Sequence, residues 1–324
     1  MSVEHAIEVR DLTRRFGGFV AVDRLTFDVR KGEIFGFVGS NGAGKSTTIR
    51  MLCGLLKPTA GAATVGGVDV GRDPERVKRG IGYMSQRFSL YEQLTVSQNI
   101  SFFAGIYGLR GKALEHRRRF AIEMAGLEGR EHSRAADLAG GWRQRLALGC
   151  AILHEPSIVF LDEPTGGVDP ISRRHFWRLI DQLSASGVTV LVTTHYLAEA
   201  EHCHRLAIIH QGRLAALGTT HELKQVFADR AIVEIRAPNP VETMRTLDQM
   251  PQIEKTSLFG TAVHAVVRSA RPDAVRALEE QLGRAGVRAH ELTVVPPSLE
   301  DVFLDVVDPA AGGAPRQGSG QAGA

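Results

Sequence analysis

The chain has little cysteine, little net charge and no long apolar run. Its three cysteines, Cys53, Cys150 and Cys203, lie far apart without a CxxC pair, which excludes a disulfide framework and indicates a reducing compartment. The 39 Lys and Arg residues against 36 Asp and Glu leave a net charge of +3, too small to favour a nucleic-acid binder. No segment approaches the roughly 20 apolar residues that span a bilayer, and the start of the chain is too charged for a signal peptide. Together these absences predict a soluble cytoplasmic protein.

With 324 residues, the chain is long enough for about two domains, one of them with a sizeable core. Short apolar runs alternate with longer helical patterns over 7–227, which predicts an α/β domain with a largely parallel sheet. The predicted buried strands are 34–38, 158–161 and 188–192. The alternation stops within about 87–150, where the predicted helices are 96–107 and 114–125. We therefore expect an α/β domain over 1–229 with an all-helical insertion.

The residues after Asp229 have a different pattern. Strands and helices follow one another in the order β-α-β-β-α-β, which is the ferredoxin-like arrangement. The predicted strands are 231–236, 253–257, 262–267 and 288–295, and the predicted helices are 241–250 and 272–285. We expect this second, α+β domain to cover 230–308. The remaining residues, 309–324, are rich in Pro, Gly, Ala and Ser without apolar periodicity, which predicts a disordered tail.

A glycine-rich motif lies between the predicted strand 34–38 and a helical pattern that begins near Lys45. It fits GxxxxGK[ST], and the candidate ATP-binding residues are Gly39, Ser40, Asn41, Gly42, Ala43, Gly44, Lys45, Ser46 and Thr47. Glycines let successive backbone N–H groups point at phosphate oxygens, and the helix N-terminus adds positive potential. In such a loop Lys45 reaches the β- and γ-phosphates and Ser46 binds Mg²⁺. The alternative, a glycine-rich turn with a surface lysine, is disfavoured by the flanking strand and helix.

Two acidic residues, Asp162 and Glu163, follow the predicted strand 158–161. A buried strand with acids at its tip, beside a phosphate loop, is the Walker B arrangement. There Asp162 would hold Mg²⁺ through water, and Glu163 would polarise the attacking water as the general base. Alone, the pair fits a helix-capping site at a strand-to-helix turn equally well, and the phosphate loop is what favours the catalytic interpretation.

The segment 138–146, Leu-Ala-Gly-Gly-Trp-Arg-Gln-Arg-Leu, lies directly before the Walker B strand. It resembles the signature of ABC-type ATPases, and the other motifs of that family occur in order between residues 6 and 227. The matching residues are Phe16 for adenine stacking, Gln86 for the Q-loop, Ala139, Gly140 and Gly141 for the signature, Asp169 for the D-loop and His195 for the switch histidine. Outside this context Phe16, Gln86 and His195 would fit ordinary core, surface or capping roles.

The resemblance implies a P-loop ATPase that binds ATP and Mg²⁺ and works as a dimer. Two such domains enclose two ATP molecules, each between one phosphate loop and the opposite signature. In the family, the residues matching Gln86 and His195 contact Mg²⁺ and the γ-phosphate, and Gln86 would relay the nucleotide state to a membrane partner. By this resemblance Glu163 and His195 are the catalytic residues, and the metal ligands are Ser46, Gln86 and Asp162.

The closing segment 297–304, Pro-Ser-Leu-Glu-Asp-Val-Phe-Leu, looks like the last motif of ATPase subunits in drug-resistance-type, or type-2, ABC exporters. We expect a subunit on the cytoplasmic face of the membrane that pairs with a second ATPase subunit, as a homodimer or heterodimer. It would drive a separately encoded permease for multidrug or small-molecule efflux, without nucleic acid. The alternative is a soluble ABC ATPase that acts on nucleic acid or ribosomes, although the chain shows neither a long coiled coil nor a second nucleotide domain.

Three positions depart from the family pattern. Ala139 replaces the signature serine, Gly166 replaces the D-loop serine, and the bulky Trp142 follows the two signature glycines. Loss of the hydroxyl at Ala139 removes a hydrogen bond to a charged phosphate, worth about 1.5 to 3 kcal/mol, and a helix cap worth about 0.5 to 2 kcal/mol. Gly140 and Gly141 keep the backbone donors, so we expect weakened rather than abolished phosphate binding.

Overall fold

The computed structural model describes residues 4–86, 90–269, 272–285, 287 and 291–307. The chain forms two compact units, one up to Thr219 and one from Thr220 onward. The division lies earlier than the boundary expected after residue 229, because the short helix Thr220–Lys224 packs against the last helix, Leu299–Val307. The segment that joins the two halves of the sequence therefore belongs to the second unit.

The strands of the first unit are β1 (His5–Phe16), β2 (Phe19–Arg30), β3 (Ile34–Val38), β4 (Ala60–Val65), β5 (Val68–Asp69), β6 (Ile81–Met84), β7 (Ile158–Asp162), β8 (Thr189–Thr194), β9 (Arg205–His210) and β10 (Arg213–Gly218). Six of them form a sheet in the order β10-β9-β3-β8-β7-β6, parallel at every pair except β10 and β9. Every residue of β3, β7 and β8 is buried, which explains their continuous apolar sequences. The largely parallel sheet is thus confirmed.

The other four strands form an antiparallel sheet in the order β2-β1-β4-β5, which the sequence analysis did not predict. The expected alternation of strands and helices from residue 7 is wrong for the first 30 residues, because β1 and β2 pair as a hairpin. The second half of β2, Leu25 to Arg30, alternates buried residues with exposed or partly exposed ones. Such a half-buried strand lacks the continuous apolar run that identifies a fully buried strand.

The helices of the first unit are α1 (Lys45–Leu52), α2 (Pro74–Gly80), α3 (Val96–Ile106), α4 (Gly111–Ala125), α5 (Gly140–Ala151), α6 (Pro170–Ala185) and α7 (Leu197–Ala200). A separate apolar core, including Ile100, Ala121 and Leu146, joins α3, α4 and α5. The two predicted helices correspond to α3 and α4. Helix α4 begins at Gly111, before the predicted start at residue 114. Its first residues are exposed, so no apolar pattern marks them in the sequence.

The second unit contains the strands β11 (Ala231–Arg236), β12 (Ile253–Phe259), β13 (Ala262–Val267) and β14 (Glu291–Val295) and the helices α8 (Thr220–Lys224), α9 (Pro240–Leu247), α10 (Pro272–Arg284) and α11 (Leu299–Val307). The strands form an antiparallel sheet in the order β12-β13-β11-β14, as a β-α-β-β-α-β unit requires. Residues 288–290 of the last predicted strand lie outside the described residues. The predicted disordered tail, 309–324, also lies outside them.

Charged contacts at both ends hold α11 within the second unit. Near its start, His264 Nδ1 lies 2.9 Å from Asp301 Oδ1, while Nε2 of the same ring lies 3.4 Å from Glu234 Oε2. Farther along, both terminal nitrogens of Arg230 donate to the Asp305 carboxylate at 2.9 Å. Burial would lower the pKa of His264, but Asp301 and then Glu234 outweigh it and raise this pKa above its ordinary value.

Candidate nucleotide site

The turn from β3 into α1 forms a tight loop around the side chain of Lys45. This side chain is buried, and its Nζ donates to the carbonyl oxygens of Gly39 at 2.7 Å and Ser40 at 3.1 Å. Gly44 has a φ of 105°, and a Cβ there would lie 2.6 Å from the carbonyl oxygen of Ala21. Only glycine fits that position, so the motif glycine has a steric cause.

The carboxyl end of β7 brings Asp162 and Glu163 to the same loop. Ser46 Oγ donates to Asp162 Oδ1 at 2.9 Å, which joins the phosphate loop directly to the buried acid. Thr193 on β8 donates from Oγ1 to the same oxygen at 2.8 Å and accepts from the backbone N–H of Glu163 at 2.8 Å. Glu163 itself has a φ of 47°, a left-handed conformation that is uncommon outside glycine. Thr193 thus holds both acids of the strand tip.

The Glu163 carboxylate gathers three other side chains that the sequence motifs singled out. Lys45 Nζ lies 3.4 Å from Oε1, Gln86 Nε2 donates to Oε2 at 2.9 Å, and His195 Nδ1 lies 3.4 Å from Oε2. Burial lowers the pKa of Lys45, against the attraction of Glu163 and then Asp162. A cation, an amide and an imidazole therefore meet on one acidic group beside the phosphate loop.

A cleft of about 450 Å³ opens at this point. Its lining residues come from the β1–β2 hairpin, the phosphate loop and the acidic cluster, and they are Phe16, Phe19, Ala21, Asn41, Gly42, Gly44, Lys45, Ser46, Thr47, Gln86 and Glu163. Phe16 is 46% exposed at the cleft edge, with the Arg14 guanidinium 4.5 Å from its ring centroid. Phe19 is 64% exposed and was not expected to take part, because the hairpin that places it there was not predicted.

The signature and the D-loop residues are absent from the lining of this cleft in the described part of the chain, and the signature packs against α6 instead. Ala139 precedes α5 without a side-chain hydrogen bond to the helix, and a Cβ on Gly141 would lie 2.3 Å from Ser172 Oγ on α6. Asp169 Oδ1 accepts from the N–H groups of Ile171 and Ser172, and hydrogen bonds to Ser172 lower the pKa of Asp169. One copy of the chain therefore brings together only part of the predicted site.

Thr193 belongs to the site although no motif identified it. Strand β8 was predicted to end at residue 192 but continues to Thr194, and its register places Thr193 beside Asp162 of β7. The only sequence signal is a pair of hydroxyl side chains directly before His195.

Among the described residues, no helix combines the length and the apolar composition that a membrane crossing needs.

Comparison with known proteins identifies the family. The protein family described as "ABC transporter" matches residues 22–166. A second family, described as "ATP-binding protein DrrA1-3-like, C-terminal domain", matches residues 218–307. The Nod factor export ATP-binding protein I of Rhizobium sp. (strain N33) is 36% identical over 300 residues, which cover 92% of this chain and 96% of that relative. The chain belongs to the ABC transporter ATP-binding proteins. The resemblance drawn from the sequence motifs is confirmed.

Two further comparisons show how far the similarity of this ABC protein reaches. The probable multidrug ABC transporter ATP-binding protein YbhF of Escherichia coli (strain K12) is 50% identical over 221 residues, 68% of this chain but only 38% of YbhF. The structure titled "Dimeric Structure of MJ0796, a Bacterial ABC Transporter Cassette" has a TM-score of 0.61 at 25% identity, covering 66% of this chain and 98% of that one. The expected P-loop ATPase fold is confirmed.

The "ABC transporter" match includes the phosphate loop, Gln86, the signature and Glu163. Phe16, Asp169 and His195 lie outside the matched residues. The individual roles of all these side chains stay predictions that rest on the motifs and on the geometry of the cleft.

Proposed function

We propose that this ABC protein is the ATP-hydrolysing subunit of an export complex, which pairs with a second ATPase subunit and drives a separate permease. The observation that carries the proposal is the Glu163 carboxylate. It lies beside the phosphate loop in contact with Lys45, Gln86 and His195. A carboxylate in that place is suited to orient and deprotonate a water molecule that attacks the terminal phosphate.

Four side chains in or beside the cleft have distinct roles in this proposal. Lys45 and the backbone N–H groups of the loop bind the triphosphate, since a cation and converging donors attract anionic oxygens. Glu163 accepts a proton from the attacking water, and His195 beside it contacts the γ-phosphate. The half-exposed ring of Phe16 at the cleft edge offers a flat surface on which the adenine stacks.

The residues at the strand tip also fit a magnesium ion. Ser46 Oγ and the Asp162 carboxylate are hard oxygen donors that lie within 2.9 Å of each other, at the end of the loop where phosphates would sit. We propose that Ser46 and Asp162 hold Mg²⁺ together with Gln86, Asp162 through water. The ion supplies neutralisation of the charge on the phosphates when it is bound.

The pairing of two ATPase subunits follows from the residues that the cleft lacks. In the described part of the chain, the lining of the cleft contains neither the signature residues Ala139, Gly140 and Gly141 at the start of α5 nor Asp169. Two copies facing each other would bring each signature to the opposite phosphate loop. The dimeric arrangement named for MJ0796 supports this geometry.

We propose that an exposed aromatic and apolar patch on the helical part of the first unit contacts the permease. Tyr91 is 48% exposed, Phe102 41% and Ile106 63%, and the rings of Tyr91 and Phe102 lie 4.5 Å apart. Gln86, which bonds to Glu163, shortly precedes this patch in the sequence, so a membrane protein docked there would sense the nucleotide cleft. We place the subunit on the cytoplasmic face of the membrane. The relatives named for multidrug transport and Nod factor export support export as the direction.

The proposal is tested by separating nucleotide binding from hydrolysis in the purified full chain. We expect Glu163→Gln to bind a fluorescent ATP analogue as the wild type does but to release phosphate at least about 100-fold more slowly, because only the general base is lost. Lys45→Ala should lose the binding itself. Phosphate release by Glu163→Gln at the wild-type rate would overturn the proposal.

A further inference from the structure

The carboxylate of Glu199, on α7, takes no part in the steps above, yet it is only 3% exposed. Burying a charged group is costly unless partners compensate for the lost water. Glu199 has such partners in the structure, and they come from three separate segments of the nucleotide-binding unit. This arrangement indicates that the buried charge has a task.

The first two partners are hydroxyl groups that flank the catalytic residues. Thr165 Oγ1 lies 2.6 Å from Oε1 and 2.7 Å from Oε2 of Glu199. Thr165 follows Glu163 by two positions. Thr194 Oγ1 donates to Glu199 Oε2 at 3.0 Å, and Thr194 directly precedes His195. The same carboxylate therefore holds the loop after the general base and the turn that carries the switch histidine.

The third partner belongs to the D-loop helix. Arg173, in the second turn of α6, places its Nε 3.0 Å from Glu199 Oε1. Its Nη2 donates to the carbonyl oxygen of Val168 at 3.4 Å, directly before Asp169. The charge of Arg173 balances that of Glu199, so the pair ties the D-loop to α7.

The turn around His195 depends on the same set of contacts. Thr194 Oγ1 accepts from the backbone N–H of Tyr196 at 2.9 Å, which closes the turn over His195. The guanidinium of Arg173 lies 4.5 Å from the Tyr196 ring centroid, and the rings of Tyr196 and His195 lie 4.1 Å apart. Without the Glu199 carboxylate, the Thr194 hydroxyl and the Arg173 cation would each lose the group that orients them.

We propose that Glu199 is a positioning residue that fixes His195 and Asp169 relative to Glu163. The switch histidine, the D-loop and the loop after the general base then respond to nucleotide as one rigid body. This inference rests on the proposed ATP hydrolysis and assigns a role to a side chain outside the cleft. Within the described part of the chain, the hydrogen bonds and the ion pair of this carboxylate go to Thr165, Thr194 and Arg173. None of these three residues lines the cleft, so the inference concerns kcat and not ATP affinity.

The test is a comparison of hydrolysis and binding in the full chain with Glu199→Gln, Thr165→Val and Thr165→Ser. Valine matches threonine in shape but lacks the hydroxyl, whereas serine keeps it. We expect Glu199→Gln and Thr165→Val to lower kcat about tenfold or more, because the first removes the buried charge and the second removes a hydrogen bond to it. The binding constant for the fluorescent ATP analogue should stay within about twofold of the wild type, and Thr165→Ser should restore most of kcat.

Two results would overturn the inference and leave the proposed function intact. One is an unchanged kcat in Glu199→Gln and Thr165→Val. The other is a parallel loss of kcat and ATP binding in both variants, which a merely structural role predicts. Because the Thr165 pair leaves Arg173 and Glu199 paired, it answers the question even if Glu199→Gln does not fold. A wild-type chain that does not hydrolyse ATP at all would refute the proposed function and the inference together.

Discussion

Thr193 shows how a single hydroxyl can set the geometry of a catalytic strand tip. It donates to Asp162 and accepts from the backbone of Glu163, whose φ of 47° is held partly by that bond. The conformation aims the Glu163 side chain at Lys45, Gln86 and His195. The proposed metal-binding acid and the proposed general base are therefore oriented by one buried side chain of the neighbouring strand.

We predict that Thr193→Val lowers kcat and weakens the apparent affinity for Mg²⁺. The substitution leaves the Glu163 N–H without its partner in a buried site, which costs about 1 to 3 kcal/mol, or roughly tenfold or more. Thr193→Ser keeps the hydroxyl and should behave nearly as the wild type. ATPase rates measured against Mg²⁺ concentration decide this. Equal Mg²⁺ dependence for the valine and serine variants would argue against the positioning role.

Motif spacing was enough to propose Lys45, Asp162 and Glu163, which lie at the end of a buried strand or directly after a glycine-rich turn, while His195 needed the family resemblance as well. It could not find Thr193 or Glu199. Their importance arises from strand register and from a helix packed across three segments. Such neighbours in space leave no periodic signal along the chain, so these residues require the structure.

At the scale of elements, charged contacts attach α11 to the rest of the second unit. Its Asp301 meets His264 of β13, and the same imidazole meets Glu234 of β11, which also pairs with Arg236. Ser298 donates to the other oxygen of Asp301 through its hydroxyl and its N–H group. His264 between two carboxylates thus holds the closing helix on the sheet.

The raised pKa of His264 makes the stability of this attachment dependent on pH. A group whose pKa is higher in the folded state stabilises that state fully below its unfolded value, about 6.5, and loses this as the pH rises through the folded value. Asp301 has a lowered pKa despite its burial, since His264 and then Ser298 favour its charged form, so its contribution is lost in acid. The attachment is strongest between these two limits.

We predict that the unfolding temperature of the second unit falls as the pH rises above about 6.5 in the wild type and falls less in His264→Gln. Glutamine fills a similar space but does not titrate in this range. Calorimetry of the full chain at several pH values measures the difference. Identical slopes for the two proteins would show that His264 contributes no pH dependence.

Among the described strands of the six-stranded sheet, sequence patterns located β3, β7 and β8 but not β6, β9 or β10, and they did not locate the antiparallel hairpin at the start of the chain. Buried parallel strands such as β3 and β7 are apolar at every position except Asp162 at the end of β7, so they stand out from helices and loops. Strands β1 and β2 each have one partly exposed side, and their polar residues interrupt the apolar runs. The hairpin matters for function, because its turn places Phe16 and Phe19 at the cleft.

At the scale of the whole molecule, the chain carries two half-sites that it does not join. The phosphate loop and Glu163 line one cleft, whereas the signature and Asp169 lie elsewhere in the same unit. Because Ala139 replaces the signature serine, the backbone donors at the start of α5 remain as the means of holding a phosphate across the pair. A complete ATP site therefore requires two subunits, and we expect ATP itself to bring them together.

The most direct test of that claim is the molar mass of the Glu163→Gln chain in solution, measured by size-exclusion chromatography with light scattering. We predict a monomer without nucleotide and a dimer with Mg-ATP, because the variant keeps the binding contacts and cannot hydrolyse the ATP that joins the subunits. Lys45→Ala, which should not bind ATP, serves as the control and should not change its mass. A molar mass of Glu163→Gln that is the same with and without Mg-ATP would contradict the account.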